Sequence, residues 1–226
     1  MSRFLCSRPA STGSLGLQHA HCIGHGVTHE MSWTIRVAAL ADASALPQVE
    51  FSAGRRFLAI PDLASLADGD DMPVEAHQRY IAQGTEWVAV TESQEFVGFL
   101  AAEIVNRDLH IWEFAVRGDV QNRGIGRQLI NAATMFARER HLASLTLTTF
   151  TDVSWNAPWY SRLGFEMSSG DERLAALVRT ETERGWPRRC AMRKTLYGSP
   201  HGREMSRAVT VSISPEHIIR RPLNSC

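Results

Sequence analysis

The sequence predicts a mixed α/β domain in which helices pack on both faces of a central, mainly antiparallel sheet. The chain has 226 residues, of which 44% are hydrophobic and 21% charged, a composition typical of a globular domain. Runs that alternate like strands and runs with helical spacing follow each other in mixed order. Three strand runs are consecutive and joined by short polar turns, which indicates an antiparallel meander. This order is typical of a sheet covered by helices.

The first half of the chain alternates between strand and helix patterns before it enters the meander. Asp42 has the side chain of a helix N-cap residue, and the Pro, Asp and Gly residues after position 60 predict a loop. The predicted elements are the strand Trp33–Ala39, a helix from Asp42 to about Ala53, the loop Pro61–Pro73, a helix Val74–Gln83 closed by Gly84, and the strands Glu86–Thr91, Phe96–Val105 and Leu109–Val116.

The second half begins with a polar loop, Gly118–Arg123, and a long amphipathic helix from Gly124 to about Arg140. Apolar residues recur there at helical spacing. The remaining predicted elements are the strand Ser144–Phe150, a short helix of about Ala157–Leu163 ending at Gly164, a helix Asp171–Arg184 and a last strand Cys190–Leu196.

Both ends of the chain differ in composition from the domain at 31–197. Residues 1–30 are rich in Ser, Gly and His, and we expect them, like a C-terminal tail at 198–226, to be disordered or flexible. Met31 as the true start and a transit peptide that directs organelle import are two explanations of the first segment. His19, His21, Cys22, His25 and His29 match no standard zinc spacing, so a solvated tail is favoured over a metal site. Val209–Ile213 is a weak candidate for an edge strand.

Composition also limits the partners. A formal net charge of +0 gives no electrostatic reason to expect nucleic acid or an anionic membrane. The four cysteines are scattered and no stretch approaches the roughly 20 apolar residues of a membrane span, so we expect a cytoplasmic protein without a disulfide framework or resident metal.

The segment Leu109–Arg127, LHIWEFAVRGDVQNRGIGR, carries the chemical signal. A strand leads through a loop into a helix that begins at Gly124-x-Gly126. The first N–H groups of a helix lack partners within it and lie at the positive end of its dipole. Gly124 and Gly126 leave them unshielded, and Arg123 and Arg127 add charge. Gln121–Arg127 is therefore predicted to be a pyrophosphate cradle, although glycines at such a junction can also serve packing alone. Two other phosphate-binding motifs are excluded. The segment contains no GxxxxGK(S/T) sequence of a P-loop, and Leu129 stands where a dinucleotide-binding fingerprint needs its third Gly or Ala.

Two motifs make the resemblance specific. Gln121-x-x-Gly124-x-Gly126 resembles the acetyl-CoA signature of the GCN5-related N-acetyltransferase (GNAT) superfamily, and Asn156-Ala-Pro-Trp-Tyr160-Ser-Arg-Leu-Gly164-Phe165 resembles its second signature. The resemblance covers Thr34 to about Leu196 in the family's element order. Many members place the Asn seven residues before the Tyr, whereas the gap here is four, in a WNAPWY form that marks a subgroup. This leaves the role of Asn156 less defined than that of Tyr160.

The resemblance implies that the strands Leu109–Val116 and Ser144–Phe150 splay apart and hold the pantetheine arm of acetyl-CoA between them. It implies acetyl transfer to an amine, with acetyl-CoA as donor substrate, and it allows a homodimer. The residues that it assigns to cofactor binding are Phe114, Ala115, Val116, Gln121, Asn122, Arg123, Gly124, Ile125, Gly126, Arg127, Asn156 and Tyr160.

The reaction calls for a base that deprotonates the amine and an acid that protonates the departing thiolate. The resemblance implies that Tyr160 is the acid. His110 and Glu113 are both candidates for the base, because an imidazole titrates near neutrality and a buried carboxylate has a raised pKa. On a regular strand these two residues face opposite sides, and a bulge would change that. Each of the three could instead be a packed, hydrogen-bonded residue of the interior.

The acceptor site is less defined by the sequence. In the superfamily, the region that corresponds to Phe51–Asp71 usually shapes the acceptor site. Arg55 and Arg56 in this region could bind a carboxylate of the substrate or simply be solvated. Trp112, Trp155 and Trp159 could wall the pocket or pack in the core, and Asp152 is expected to cap the next helix rather than bind the amine. Three functions stay open: acetylation of a small amine, which is favoured, acetylation of a protein N-terminus or lysine, and CoA binding without catalysis.

Overall fold

A computed structural model describes residues 31–69 and 71–197, in which seven strands form one sheet of order β1-β2-β3-β4-β5-β7-β6. The strands are β1 Trp33–Val37, β2 Glu86–Thr91, β3 Phe96–Val105, β4 Asp108–Val116, β5 Ser144–Phe150, β6 Glu166–Met167 and β7 Arg189–Thr195. The helices are α1 Leu46–Gly54, α2 Val74–Ala82, α3 Ile125–Glu139, α4 Ala157–Ser161 and α5 Glu172–Glu183. Short 3₁₀ segments cover Leu40–Ala45, Arg55–Ala59, Pro61–Asp68 and Gly118–Val120.

Strands β1 to β4 form an antiparallel half-sheet whose two faces are covered by different helices. Side chains alternate between the faces along each strand. On one face Phe99 and Ala101 pack in a buried cluster with residues of α1 and α2. On the other face α3 lies so close to β3 that a side chain at Gly98 would meet Ile125 and Leu129 at 3.2 Å.

The second half-sheet comprises β5, β7 and β6, all antiparallel, and is joined to the first through β4 and β5. These two strands are parallel and pair only from Asp108 to His110 with Ser144 to Thr146. A polar network fixes this joint: Asp108 accepts hydrogen bonds from the Ser144 hydroxyl at 2.6 Å and from the Arg193 guanidinium at 2.9 Å. Beyond the joint the strands separate, as the resemblance implied.

The structure confirms the predicted fold class, a mixed, mainly antiparallel sheet flanked by helices. Two local predictions are wrong. Asp42 does not begin α1 but lies inside a 3₁₀ segment, where it accepts the Ala39 N–H at 2.7 Å and pairs with Arg36 at 2.6 Å. The predicted loop Pro61–Pro73 is 3₁₀ over Pro61–Asp68, because Leu63 and Ala67 are buried on one side of it.

Some expectations lie outside the described residues. These are the flexible ends at 1–30 and 198–226, the metal-ligating alternative at His19–His29 and the edge strand at Val209–Ile213. Among residues 31–69 and 71–197 no helix is both long enough and apolar enough to cross a bilayer.

Candidate active site

The gap between β4 and β5 opens into a cleft of about 620 Å³. Its walls come from β4, the loop and first turn of α3, β5, α4, α5 and the segment that follows α1. Most of the residues predicted for the site line this cleft: Glu113, Phe114, Ala115, Val116, Gln121, Asn122, Gly124, Ile125, Gly126, Arg127, Asn156 and Tyr160. Arg123 and His110 do not line it.

The start of α3 has the backbone of an anion-binding turn. Gly124 is the N-cap residue with φ 94°, and Asn122 also has a positive φ, of 63°. The Gly124 carbonyl accepts the first bond of the helix, from the Gln128 N–H at 3.2 Å. The N–H groups before Gln128 are therefore without partners in the helix. Left-handed residues in such a loop turn successive N–H groups toward one point, which suits a phosphate.

The two glycines of this turn serve different purposes. A Cβ at Gly124 would meet nothing within 4 Å, so the glycine is required there by its left-handed backbone. A Cβ at Gly126 would lie 2.9 Å from Phe114 Cζ and 3.3 Å from the Trp159 ring. Phe114 and Trp159 stack at 5.6 Å between ring centroids. Gly126 therefore makes room for this aromatic pair beside the gap.

The Gln121 side chain connects its own loop to two other parts of the cleft wall. Its amide nitrogen donates to the Val116 carbonyl at 2.9 Å, and its amide oxygen accepts from the Arg56 guanidinium at 2.8 Å. The side chain thus ties the end of β4 to the segment after α1.

A β-bulge in β4 settles the relation between the two candidate bases. Ala101 of β3 pairs with Glu113 and Ala102 pairs with Ile111, so Trp112 is an extra residue without an opposite partner. Glu103 pairs with His110. Because Ala101 and Glu103 share one face of β3, Glu113 and His110 share the corresponding face of β4. A regular strand would have placed them on opposite faces.

His110 is fully enclosed in the joint between the half-sheets. It is 1% exposed, and its Nδ1 lies 2.9 Å from the Thr146 hydroxyl. Its ring packs edge-on against Trp112 at 4.5 Å. Burial, together with the charge of Arg173, lowers the pKa of His110 to about 3. The imidazole is therefore neutral at physiological pH.

Glu113 lies three residues further along β4, on the wall of the cleft. Its carboxylate accepts the Phe114 N–H at 3.1 Å. The Arg117 N–H bonds the Val97 carbonyl on β3 at 3.0 Å. Since successive N–H groups of a strand point in opposite directions, those of Val116 and Phe114 point away from β3, toward the gap.

Tyr160 reaches the cleft from α4 and is held among aromatic rings. It is 8% exposed and contacts Phe165 at 5.5 Å and Trp159 at 5.0 Å between centroids. Among the described residues its hydroxyl has no hydrogen-bond partner. Burial raises the pKa of Tyr160, and the nearby charge of Glu113 raises it further. The phenol therefore stays protonated and able to donate.

Residues 58–165 match the model of the acetyltransferase (GNAT) family. The chain carries a GNAT acetyltransferase domain. Three solved structures show the same fold at low identity. The PaiA N-acetyltransferase from Thermoplasma acidophilum, in complex with coenzyme A, has a TM-score of 0.57 and 15% identity, covering 73% of this chain and 99% of that one. The ribosomal-protein-S18-alanine N-acetyltransferase from Escherichia coli has a TM-score of 0.55 and 15% identity, covering 77% and 100%.

The third structure is the N-acetylglutamate synthase from Neisseria gonorrhoeae, complexed with coenzyme A and N-acetyl-glutamate. Its TM-score is 0.53 at 18% identity, covering 74% of this chain and 36% of that one. At these identities the structures establish the GNAT fold, which agrees with the resemblance found in the sequence.

Several side chains of this GNAT domain have surroundings that differ from those expected. Asp152 was expected to cap α4, but Asn156 is the N-cap residue, and Asp152 pairs instead with Arg188 at 2.8 Å. Asn156 acts through its carbonyl, which accepts the Trp159 and Tyr160 N–H groups. Arg55 is exposed and lies 3.9 Å from Asp68, whereas Arg56 lines the cleft.

Sequence reasoning missed a polar cluster on the cleft wall. Arg189 bonds Glu181 at 2.8 Å and Thr148 at 3.1 Å, and Thr148 donates to Glu181 at 2.7 Å. These three residues come from β7, α5 and β5, and no short sequence spacing links them.

Proposed function

We propose that this GNAT domain is an acetyl-CoA-dependent N-acetyltransferase in which a small-molecule amine attacks the thioester directly. The observation that carries the proposal is the gap between β4 and β5, which has the start of α3 at one end and Glu113 and Tyr160 on its walls. It combines a phosphate-binding turn, an acceptor of protons and a donor of protons in one cleft.

The donor substrate would enter along β4. Its diphosphate would accept hydrogen bonds from the unpaired N–H groups at the start of α3, beside Arg127. Its pantetheine arm would pair with the edge of β4 that β5 leaves open, at the Val116 N–H, which leaves the Phe114 N–H for the reacting carbonyl. This arrangement would bring the thioester close to Glu113.

Glu113 is the base in this proposal. It removes a proton from the ammonium group, and the freed lone pair attacks the thioester carbonyl to form a tetrahedral oxyanion. Once protonated, the Glu113 carboxyl is a weaker acceptor for the Phe114 N–H. That N–H is then free to stabilise the oxyanion as the charge develops.

Tyr160 is the acid. When the oxyanion collapses, the C–S bond breaks and the electron pair goes to sulfur, where the Tyr160 hydroxyl supplies a proton. The attacking nitrogen still carries one proton more than the amide product, and it returns that proton to the Tyr160 phenolate, which restores the hydroxyl. Burial keeps this hydroxyl protonated before the thiolate forms, and its raised pKa also makes it a weaker acid than an ordinary phenol. His110 takes no part as a base here, because its pKa of about 3 makes it a poor proton acceptor and it does not line the cleft.

A small acceptor is favoured over a protein chain by the way the cleft is covered. Arg56 reaches Gln121 on the β4 side, and its guanidinium lies 4.0 Å from the Trp155 ring centroid on the β5 side. The segment after α1 therefore crosses the cleft, where a peptide substrate would require an open groove.

The test is release of free thiol from acetyl-CoA with a panel of small amines and of peptides with free N-termini or lysines. We expect turnover with small amines and loss of most of it in Glu113→Gln. Turnover with peptides alone would exclude the small-molecule acceptor. Tight acetyl-CoA binding without any turnover would indicate a non-catalytic module.

A further inference from the structure

Arg56 is a cation held in a fixed position on the cleft wall. It lies in the 3₁₀ segment Arg55–Ala59 directly after α1. One guanidinium nitrogen donates to the Gln121 amide oxygen at 2.8 Å, and the guanidinium covers the Trp155 ring at 4.0 Å from its centroid. A guanidinium carries five N–H donors, so most of its donors are not used by these contacts.

The charge of Arg56 has no carboxylate partner among the described residues, and its two contacts are with neutral groups. Its neighbour Arg55 pairs with Asp68 outside the cleft, and Arg189 of the same cleft pairs with Glu181. A guanidinium that is oriented by stacking and left without a counter-ion is suited to bind a carboxylate or phosphate of a ligand.

The surface next to Arg56 is apolar. Phe57 packs against Phe150 at 5.6 Å and against Trp155 at 6.0 Å between centroids, and Trp186 belongs to the same cluster. All four aromatic residues line the cleft, but the Arg189 guanidinium covers Phe150 and Trp186, so Phe57 and Trp155 are the rings beside Arg56. A ligand bound by Arg56 would thus place its neighbouring atoms against aromatic rings.

Two anions could reach this position, a phosphate of acetyl-CoA or a carboxylate of the acceptor. The phosphate-binding turn belongs to α3, which packs on one face of the sheet. Arg56 contacts Gln121, the first residue of that turn, but it follows α1, which packs on the opposite face from α3, the face that also carries Glu113. The base and Arg56 therefore approach the gap from the same side, which favours the acceptor.

We infer that Arg56 binds a carboxylate of the amine acceptor, and that this acceptor also carries an apolar group, as an apolar amino acid does. The inference rests on the proposed function, since it names the substrate class of the same cleft. Arg56 is then a residue that determines specificity and has no part in proton transfer.

Phenylalanine and phenethylamine test this directly, because they differ only in the carboxylate. Since a hydrogen bond to a charged group contributes about 1.5–3 kcal/mol, the wild type should prefer phenylalanine by about 10- to 150-fold in kcat/KM. Arg56→Gln should abolish that preference, because kcat/KM for phenylalanine should fall by at least about tenfold more than kcat/KM for phenethylamine. Arg55→Gln, the matched control, should behave as wild type.

Three results would overturn the inference: no preference in the wild type, equal losses for both amines in Arg56→Gln, or a Kd for acetyl-CoA raised about tenfold, which would assign Arg56 to a phosphate. Calorimetry of N-acetylphenylalanine binding to the CoA-loaded protein separates this inference from the proposed function. Arg56-dependent binding without turnover of any amine would retain the carboxylate site and reject the enzyme. Absence of both would reject both.

Discussion

The two glycines of the Gln121–Arg127 turn offer a test that distinguishes a backbone requirement from a steric one. Alanine adds the same single methyl group at either position. At Gly124 the added Cβ meets nothing within 4 Å, but the backbone has a φ of 94°. At Gly126 the helical backbone accepts alanine, but the Cβ lies 2.9 Å from Phe114 Cζ. The first substitution strains the chain, and the second displaces a ring that lines the cleft.

The two costs are similar in stability and different in binding. An L-residue in the left-handed region costs about 1–2 kcal/mol. Overpacking by one methyl group costs typically about 1–3 kcal/mol. For a domain of this size 1 kcal/mol lowers the Tm by about 2–4 °C, so each variant should melt several degrees lower. Only Gly126→Ala should move Phe114, which stacks on Trp159 and cannot turn away freely. We expect acetyl-CoA affinity to fall about tenfold or more there, because a shifted ring enters the donor's path.

Isothermal calorimetry with acetyl-CoA and a thermal melt would measure both quantities for each variant. Phe114→Leu combined with Gly126→Ala is the matched control, since a smaller side chain removes the clash and should recover part of the affinity. The reasoning fails if Gly126→Ala binds acetyl-CoA as wild type does, or if Gly124→Ala loses affinity to the same extent.

Three further predictions concern single side chains. Tyr160→Phe keeps the ring packing and removes only the proton donor, so kcat should fall about 100-fold with little change in acetyl-CoA affinity; an unchanged kcat would exclude the acid role. Glu113→Gln should remove the acidic limb of the kcat/KM profile and be partly rescued at high pH, whereas His110→Ala should keep that limb and lower stability instead; the opposite pattern would make His110 the base. Asp42→Asn should lower the free energy of unfolding by about 1 kcal/mol at pH 7, since Arg36 is partly exposed. Arg36 lowers the pKa of Asp42 below its ordinary 3.8, so this stabilisation is present above that pH and is lost as the pH falls through the lowered value. Urea unfolding of both proteins at pH 7 and at a pH below the lowered pKa of Asp42 measures this stabilisation. A difference in unfolding free energy that is the same at both pH values would contradict the prediction.

The elements that the sequence predicted best have strong local signals. The strands Glu86–Thr91, Phe96–Val105 and Ser144–Phe150 match β2, β3 and β5 residue for residue, because polar turns bound each apolar run. The 3₁₀ segment Pro61–Asp68 was predicted as a loop, since its Pro and Asp residues mask the spacing of Leu63 and Ala67. Strand β6 has two residues, both exposed, and therefore has no periodicity to detect.

The sequence predicted the parts of the site that come from one contiguous segment, and it did not predict the parts that depend on contacts between distant segments. The turn at Gly124 and Gly126 is contiguous, and its position at the cleft could be expected. The placement of His110 and Glu113 on the same face depends on a bulge, which arises from pairing with β3 and leaves no mark on β4 alone. The contact between Arg56 and Gln121 joins residues 65 positions apart, so only the folded chain brings them together.

The narrow joint between β4 and β5 has a consequence for how the domain opens. Four strands lie on one side of it and three on the other, and the strand ladder between them has only three residue pairs. Each half-sheet has its own continuous hydrogen bonding, so the halves are two potential units of cooperative unfolding. A ligand lying along the open edge of β4 would bridge them and be bound only while both are folded. Amide exchange in β5 and β7 should therefore slow with acetyl-CoA more than exchange in β2. The bound substrate would connect the two half-sheets where the strand ladder is interrupted.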